Sequence, residues 1–484
     1  MAVPFRMCAR VSALEARPGG PPLDGALLAR ALGTRAGTVL LDSAAGHGAR
    51  WTVMGLEPLR GAGLPTDLTG LAPWLAQLEP AAGDPIPGPF AGGFLGSIAY
   101  DCGVAGEALD LPEDPQGLPR ILGGLFTDFI VLDHEEGRAH LVLGDDPGDG
   151  RPPVEARRQG VLDALAQAAA ALDRPGLHAG PLVRRTGPAD HAERVRAVQA
   201  QIAAGEVYQA NLAHRITARF EGTAAALFLA LREHNPAPYM GFVDAPEGAV
   251  ISSSPELLLE SDGVTVRSRP IKGTRPRSAD PARDQALAEE LLASAKDHAE
   301  LAMIVDLVRN DCSRVCVPGS VEVGPLPDLE SHASVHHLAA DVTGRLASGR
   351  TALEALQALF PGGSITGAPK LRAMEVLAEL EEAGRGHFTG TMGMLDLRGH
   401  ARFNILIRTA SVRWDRPGAS SGEVSFQVGG GITAASDPWE EERETRVKGQ
   451  RMARALGSDL FEGEAEAGPQ GAGPVAASSL QDRR

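Results

Sequence analysis

The sequence predicts a mixed α/β protein, and three observations carry that prediction. Short runs alternate apolar with polar residues: Val264, Val266 and Ser268 share one strand face, and Val424, Phe426 and Val428 alternate with Ser425 and Gln427. Other stretches carry helical spacing, as Val195, Val198 and Ile202 do at i, i+3 and i+7. At 484 residues, 43% hydrophobic and 22% charged, the chain suffices for one large α/β unit or two to three ordinary domains.

Taken in order, residues 1–22 predict an edge element and a loop. Thr38–Leu41 reads as a short buried strand ending at Asp42-Ser43, and Trp51–Met54 as a second strand. Gly92-Gly93-Phe94-Leu95-Gly96 places small residues where backbones can approach one another. Phe126–Leu132 and Ala139–Leu143 bracket a charged turn, Asp133–Arg138, and predict a hairpin. A loop over Gly144–Val154, a helix over Ala156–Leu172 and a Pro/Gly-rich stretch to Gly187 follow, so residues 1–187 are expected as an N-terminal lobe.

Residues 188–457 are better patterned. The helix through Ile202 closes on Gly205, and Val207–Ile216 follows as a strand carrying Tyr208, Gln209 and Asn211. Ala249–Ser253 and Glu256–Glu260 read as strands broken by Ser254-Pro255. One long helix is expected over 282–309, and shorter ones over Ala352–Phe360 and Lys370–Leu380. Asp437-Pro438-Trp439-Glu440 starts a last helix with a capping residue and Pro at its first position. Residues 458–484, rich in Glu, Gly, Ala, Ser and Gln without periodicity, predict a disordered tail.

Charge and cysteine content narrow the function. A net charge of −16 argues against nucleic acid or an anionic membrane surface as partner, so an anionic substrate needs a local basic pocket or a metal. No apolar run reaches the length of a membrane span, and the first ten residues lack a signal-peptide core. The four cysteines, Cys8, Cys102, Cys312 and Cys316, are too few for a disulfide framework, which fits a reducing cytoplasm.

The stretch Arg269–Arg277 is the centre of the chemical reading. Lys272 follows an alternating run, and Pro270 and Gly273 predict a loop that can approach a ligand. A lysine buried there loses solvation, lowers its pKa and becomes a nucleophile; the alternative is a solvated basic loop that attracts anions. Asp297 and Glu300, like Glu441 and Glu444, lie three residues apart on one helix face. If those faces oppose, four carboxylates without a nearby cation call for Mg²⁺; otherwise they are two solvated acidic faces. Lys448 either pairs with Glu444 or lies beside substrate. Two glycine loops, Pro361–Lys370 and Gly429-Gly430-Gly431-Ile432-Thr433, offer backbone donors for a carboxylate, and neither matches a phosphate-loop or dinucleotide pattern. Arg408 ends an apolar run and is either paired or aimed at an anion. Glu256, after a Ser-Ser-Pro turn, suits proton transfer once desolvated, whereas His336-His337 read equally as core or surface histidines.

These segments together resemble the chorismate-utilising enzymes that include anthranilate synthase large subunits and aminodeoxychorismate synthase. The resemblance rests on Val207–Leu212, Ser253–Glu256, Arg269–Arg277, Ala295–Arg314, Val335–Leu338, Phe360–Glu375, Ile407–Thr409 and Gly429–Ile432, in that order. It is strong over Arg194–Arg454 and weaker over Leu40–Ser43, Gly92–Tyr100 and Asp133-His134. It implies one intertwined α/β unit with two large facing β-sheets flanked by helices, the active site lying between lobes and residues 188–457 forming the chorismate-binding region. Lys272 stands where aminodeoxychorismate synthases carry the attacking lysine and anthranilate synthases carry alanine, so the resemblance implies synthesis of 4-amino-4-deoxychorismate, a precursor of p-aminobenzoate and folate.

The same resemblance makes Glu256 the general acid/base and His337 the active-site histidine. It makes Glu300 and Glu444 direct Mg²⁺ ligands, with Asp297 and Glu441 holding the ion's waters. Thr366, Arg408 and the Gly429, Gly430 and Gly431 backbone become carboxylate binders, with Lys448 nearby. Gln209 replaces a water-activating lysine of isochorismate-forming relatives. Phe388 replaces a common tyrosine, as does Met394. Leu41, Asp42 and Ser43, with Pro238, Tyr239 and Met240, resemble the tryptophan pocket of anthranilate synthases. No Gly-x-Cys-x-Gly elbow is present, so ammonia is expected from a separate glutamine amidotransferase subunit or from solution. Anthranilate synthase and a non-catalytic chorismate- or tryptophan-binding regulator are the rival readings.

Overall fold

The computed structural model describes residues 5–15, 21–43, 50–59, 63–80, 83–104, 107, 109–146, 150–171, 176–332, 335–381 and 383–458. The tail expected to be disordered lies almost wholly outside the described residues.

Among the described residues two large antiparallel sheets dominate, one of thirteen strands and one of eight. The larger runs from His178–Ala179 through Gln209–Glu221, Ser421–Ile432, Thr409–Trp414, Gly248–Ser254, Tyr239–Asp244, Val39–Asp42, Trp51–Gly55, Phe129–Asp133 and Arg138–Gly144 to Ala9–Leu14, with Val183–Arg184 and Gly367–Ala368 also paired to Gln209–Glu221 off that path. The smaller runs from Glu322–Val323 through Val342–Arg345, Thr265–Arg269, Leu257–Ser261, Ala401–Asn404, Thr391–Asp396 and Gly93–Ile98 to Ile121–Phe126.

Strand periodicity decides which residue faces which layer. Val39, Val53, Val131 and Val250 pack inward against Phe94, Leu95, Leu259 and Phe403 of the eight-stranded sheet. Their neighbours Leu40, Met54, Ile130 and Ile251 pack outward against Leu28, Leu32, Phe228 and Met452 of the covering helices. Leu301, Ile304, Leu353 and Leu356 join the inner core from helices of their own. The mixed α/β class and the facing sheets thus follow the sequence expectation. Strands from both sides of residue 187 share both sheets: Met240 pairs with Asp42, and Thr391 with Ile98.

Two expected elements differ. The helix expected over 282–309 is two, Pro281–Ala293 and Ala295–Ser313. Ser294 is extended, with ψ of 100°, and its hydroxyl caps the second helix by accepting from the Asp297 N–H. The loop expected after Arg269 is a new strand, Ile271–Pro276, in a three-stranded sheet with Val335–Ala339 and Asp328–Ser331. Pro270 ends one ladder and the chain enters the other.

The chain crosses between the large sheets twice at one place. Ser254-Pro255-Glu256 leads from Gly248–Ser254 to Leu257–Ser261, and residues 405–408 lead from Ala401–Asn404 back to Thr409–Trp414. The crossings are tied together: the Ser254 hydroxyl donates to the Ile405 carbonyl (2.5 Å), the Ile405 N–H to the Glu256 carbonyl (3.1 Å) and the Ser253 N–H to the Arg408 carbonyl (3.0 Å).

Candidate active site

Lys272 lies opposite Leu338 at the start of its strand, and its half-buried ammonium reaches the Ser364 carbonyl at 3.4 Å. The basic residues around it are spent on acids. Arg269 meets Glu330 (2.5 Å), Asp341 (2.6 Å) and Asp328 (2.6 Å), Arg275 meets Glu290 (2.7 Å), and Arg277 meets Asp284 (2.8 Å). A solvated basic loop is therefore not what the stretch forms. Gly273, at φ 68°, makes the bulge that lets the acidic helix approach, because a Cβ there would lie 2.8 Å from Leu291 and 3.0 Å from Asp297. Burial pushes the Lys272 pKa down, against the opposing pull of Glu300, Glu256 and Glu444.

Glu256 is buried at the first crossing, where the Ile271 N–H reaches its Oε1 at 3.5 Å. Burial raises its pKa, moderated by the Ser364 hydroxyl, Lys272 and Arg408. His337 is buried too, and Nδ1 lies 3.2 Å from the Gly273 carbonyl and 2.9 Å from the Thr274 hydroxyl. A carbonyl only accepts, so that contact assigns the ring proton to Nδ1 and leaves Nε2 a bare acceptor with no partner among the described residues. Burial, with Arg408 nearby, drives its pKa down to about 3, so it is neutral.

Gln209 lies in the wall beside Lys272. Its amide is fully buried, and neither Nε2 nor Oε1 has a partner among the described residues. Gly431 faces both groups: a Cβ built there would stand 2.4 Å from Gln209 Nε2 and 3.4 Å from Lys272 Nζ. The glycine run is not the loop expected from sequence. Gly429, Gly430 and Gly431 continue the strand Ser421–Ile432, paired with Ala213, Leu212 and Asn211. The strand Thr409–Trp414 stops pairing at Ala410–Phe426, so the glycine segment keeps one edge free of that neighbour. Thr366 closes the short helix Gly363–Thr366, and its hydroxyl donates to the Gly362 carbonyl at 2.9 Å.

Arg408, at φ 52°, is half-buried, and its guanidinium has no hydrogen bond or ion pair among the described residues. Burial and Arg451 lower its pKa to about 10. Phe388 is buried beside the Arg385 guanidinium, 5.7 Å from the ring. Arg385 itself donates to the carbonyls of Ile365 (2.9 Å) and Asn211 (2.6 Å), bracing both site walls.

The charge of Glu444 bears on Glu300, and cations stand beside both acidic pairs, the partnership of Lys448 with Glu444 being one of the two readings open from sequence. Glu444 pairs with Lys448 at 2.7 Å, Glu300 with Lys296 at 3.9 Å, and Asp297 with Arg275 at 3.5 Å, while Glu441 accepts from the Ser436 hydroxyl at 2.7 Å. Among the described residues no three carboxylate, imidazole or thiol side chains stand close enough to hold an ion. The donor chemistry still suits a hard divalent cation, since Asp297 and Glu444 both press on Glu300 and help burial raise its pKa.

The six residues of the expected second pocket line one cavity with Met394, Arg402 and Asn404, about 420 Å³ of atom-free space partly open to solvent. Asp42 is already engaged there by Thr52 (2.7 Å) and Arg232 (3.0 Å), and the Arg402 guanidinium lies 5.3 Å from the Tyr239 ring. Two groups beside the site escaped the sequence reading, Ser364 and Arg385; Arg385, between two glycines, carried no signal.

Known proteins are similar to this chain in sequence and in fold. Anthranilate synthase component 1 of Streptomyces coelicolor is 38% identical over 440 residues, covering 86% of this chain and 83% of that relative. Aminodeoxychorismate synthase component 1 of Klebsiella aerogenes is 38% identical over 371 residues, covering 76% and 78%. The crystal structure of anthranilate synthase component I from Streptococcus pneumoniae superposes with a TM-score of 0.71 at 28% identity, over 84% of this chain and 92% of the other. With residues 66–454 matching the family described as chorismate binding enzyme, the chain belongs to that family.

Proposed function

We propose that this protein is the synthase component of an aminodeoxychorismate synthase, aminating chorismate at C4 through Lys272. The observation that carries the reading is the desolvated Lys272 amine, held between Glu256, Glu300 and the Gln209–Gly431 wall. Burial enlarges its unprotonated, nucleophilic fraction. Nζ adds at C2, both conjugated ring double bonds shift and the C4–O bond breaks, with Glu256 giving its proton to the departing hydroxyl as water leaves. Glu256 then takes the proton shed by the alkylated amine. Ammonia adds at C4, both double bonds shift back and the C2–N bond breaks as Glu256 returns its proton to the leaving amine, regenerating lysine. Arg408 and the free-edged glycine strand hold carboxylate; His337, neutral, accepts a hydrogen bond through Nε2. Where magnesium is bound, Glu300 and Glu444 would hold it, with Asp297 and Glu441 on its waters, and it would neutralise the ring carboxylate. Ammonia would come from a glutamine amidotransferase subunit, and four cysteines outside any disulfide suit a reducing cytoplasm.

Anthranilate synthase is the second reading, favoured by the equally similar Streptomyces coelicolor relative and by the cavity at Leu41–Ser43 and Pro238–Met240. Incubation with chorismate and ammonium, followed by product analysis, separates them. The expected product is 4-amino-4-deoxychorismate, and Lys272→Ala loses it by about a thousand-fold or more, the scale of removing a covalent nucleophile. Anthranilate from the wild type, or an unchanged rate in Lys272→Ala, overturns the lysine route.

A further inference from the structure

Ser364 stands in the short helix Gly363–Thr366, beside the two groups that the reaction proposed above would use. Its carbonyl accepts from Lys272 Nζ at 3.4 Å, and the residue before that lysine, Ile271, directs its N–H at Glu256 Oε1 at 3.5 Å. Two glycines seat the helix. A Cβ at Gly362 would stand 2.7 Å from Ile405, and one at Gly363 would stand 2.5 Å from Leu307, so side chains there would push Ser364 out of place. Ile405 in turn donates its N–H to the Glu256 carbonyl at 3.1 Å, and Ser364, Ile405 and Glu256 line one cavity with Asp311.

The hydroxyls on this helix fare differently. Thr366 spends its own on the Gly362 carbonyl, whereas the Ser364 hydroxyl is buried and aligned with no partner among the described residues. A buried donor left over is unfavourable unless another state of the protein uses it. Glu256 has such a state. Protonated, as burial favours, it does not require that donor; ionised, it gains one when the serine hydroxyl turns about a single bond. The Ser364 hydroxyl already opposes burial at Glu256, ahead of Lys272 and Arg408, the two cations that face the carboxyl. The charge of Asp311 is met by Lys370 at 2.7 Å.

We infer that Ser364 is a positioning residue for the acid/base: its hydroxyl donates to the Glu256 carboxylate whenever that group has given up its proton, and lets go when the proton returns. This rests on the reaction proposed above and adds a residue to it. The serine acts through Glu256 and not on the substrate. It stabilises the ionised half of the proton shuttle, which burial alone would make reluctant to form.

The test is the pH dependence of kcat and kcat/KM with chorismate and ammonium, with the product identified, on wild type, Ser364→Ala and Ser364→Cys. Ser364→Ala is expected to lower kcat by about ten-fold or more, the scale of one hydrogen bond to a charged group, with KM within about two-fold. Without the donor Glu256 is harder to ionise, so the alkaline limb of the kcat/KM profile moves to higher pH, by about one pH unit. That movement is what a packing defect does not produce, since it lowers the rate at every pH and leaves the limb in place. Should Ser364→Ala lower the melting temperature, Ser364→Cys, which fills the space and donates weakly, carries the same expectation. A limb that stays in place in both variants, or moves to lower pH, overturns the inference whatever the rate. Anthranilate as the wild-type product overturns the lysine route and leaves the serine to be judged by the same limb. A wild type that leaves chorismate unchanged overturns both.

Discussion

At the scale of single residues, burial moves two titrating groups in opposite directions: it lowers Lys272 and raises Glu256. The reaction proposed above needs the lysine neutral and the glutamic acid protonated. Protonated Lys272 is inert, so activity falls as pH drops through its pKa, which lies below the ordinary lysine value. Ionised Glu256 cannot donate, so activity falls again as pH rises through its pKa, which lies above the ordinary carboxylate value. The expected kcat/KM profile is a bell, and Glu256→Gln removes its alkaline limb while the acid limb stays. An alkaline limb that survives the substitution would assign it to another group. Both residues were legible because each sits where a strand pattern breaks. What the sequence could not show is that Arg269, Arg275 and Arg277 are consumed by acids while Arg408 is left unpaired; that depends on partners as distant as Glu330 and Asp341.

At the scale of elements, the glycine run shows how position along one strand separates chemistry from stability. Gly431→Ala would set a methyl group 2.4 Å from Gln209 Nε2 and 3.4 Å from Lys272 Nζ. The expected result is loss of activity by about ten-fold or more, with a melting temperature near that of wild type, because a misplaced site group costs rate before stability. Gly429→Ala instead meets the Leu212 carbonyl at 2.4 Å and the ladder itself. It should destabilise the fold by about 1–3 kcal/mol, measured by denaturant unfolding. Equal effects from both substitutions would refute this division. From sequence the triplet reads as a loop because glycine is the usual turn residue; the twelve-residue strand overrides that preference through its partner Gln209–Glu221. The break at Ser294 was missed for a related reason: helical spacing runs on through it, and only the capping hydroxyl marks it.

At the scale of the whole molecule, alternation in the sequence reveals strands but not their partners. Val39–Asp42 pairs with Tyr239–Asp244, and Gly93–Ile98 with Thr391–Asp396, so the order of both sheets depends on contacts hundreds of residues apart. A chain divided at residue 187 should therefore give two pieces that fail to fold singly and regain circular-dichroism signal and activity only when refolded together; a soluble, cooperatively melting 188–457 fragment would contradict that. The paired crossings between the sheets have a consequence of their own. Glu256 and Arg408 ride on adjoining bridges stapled to each other, so if the two layers rock, proton donor and anion anchor travel as one. The site thereby sits on the fulcrum of such breathing, where displacement is least.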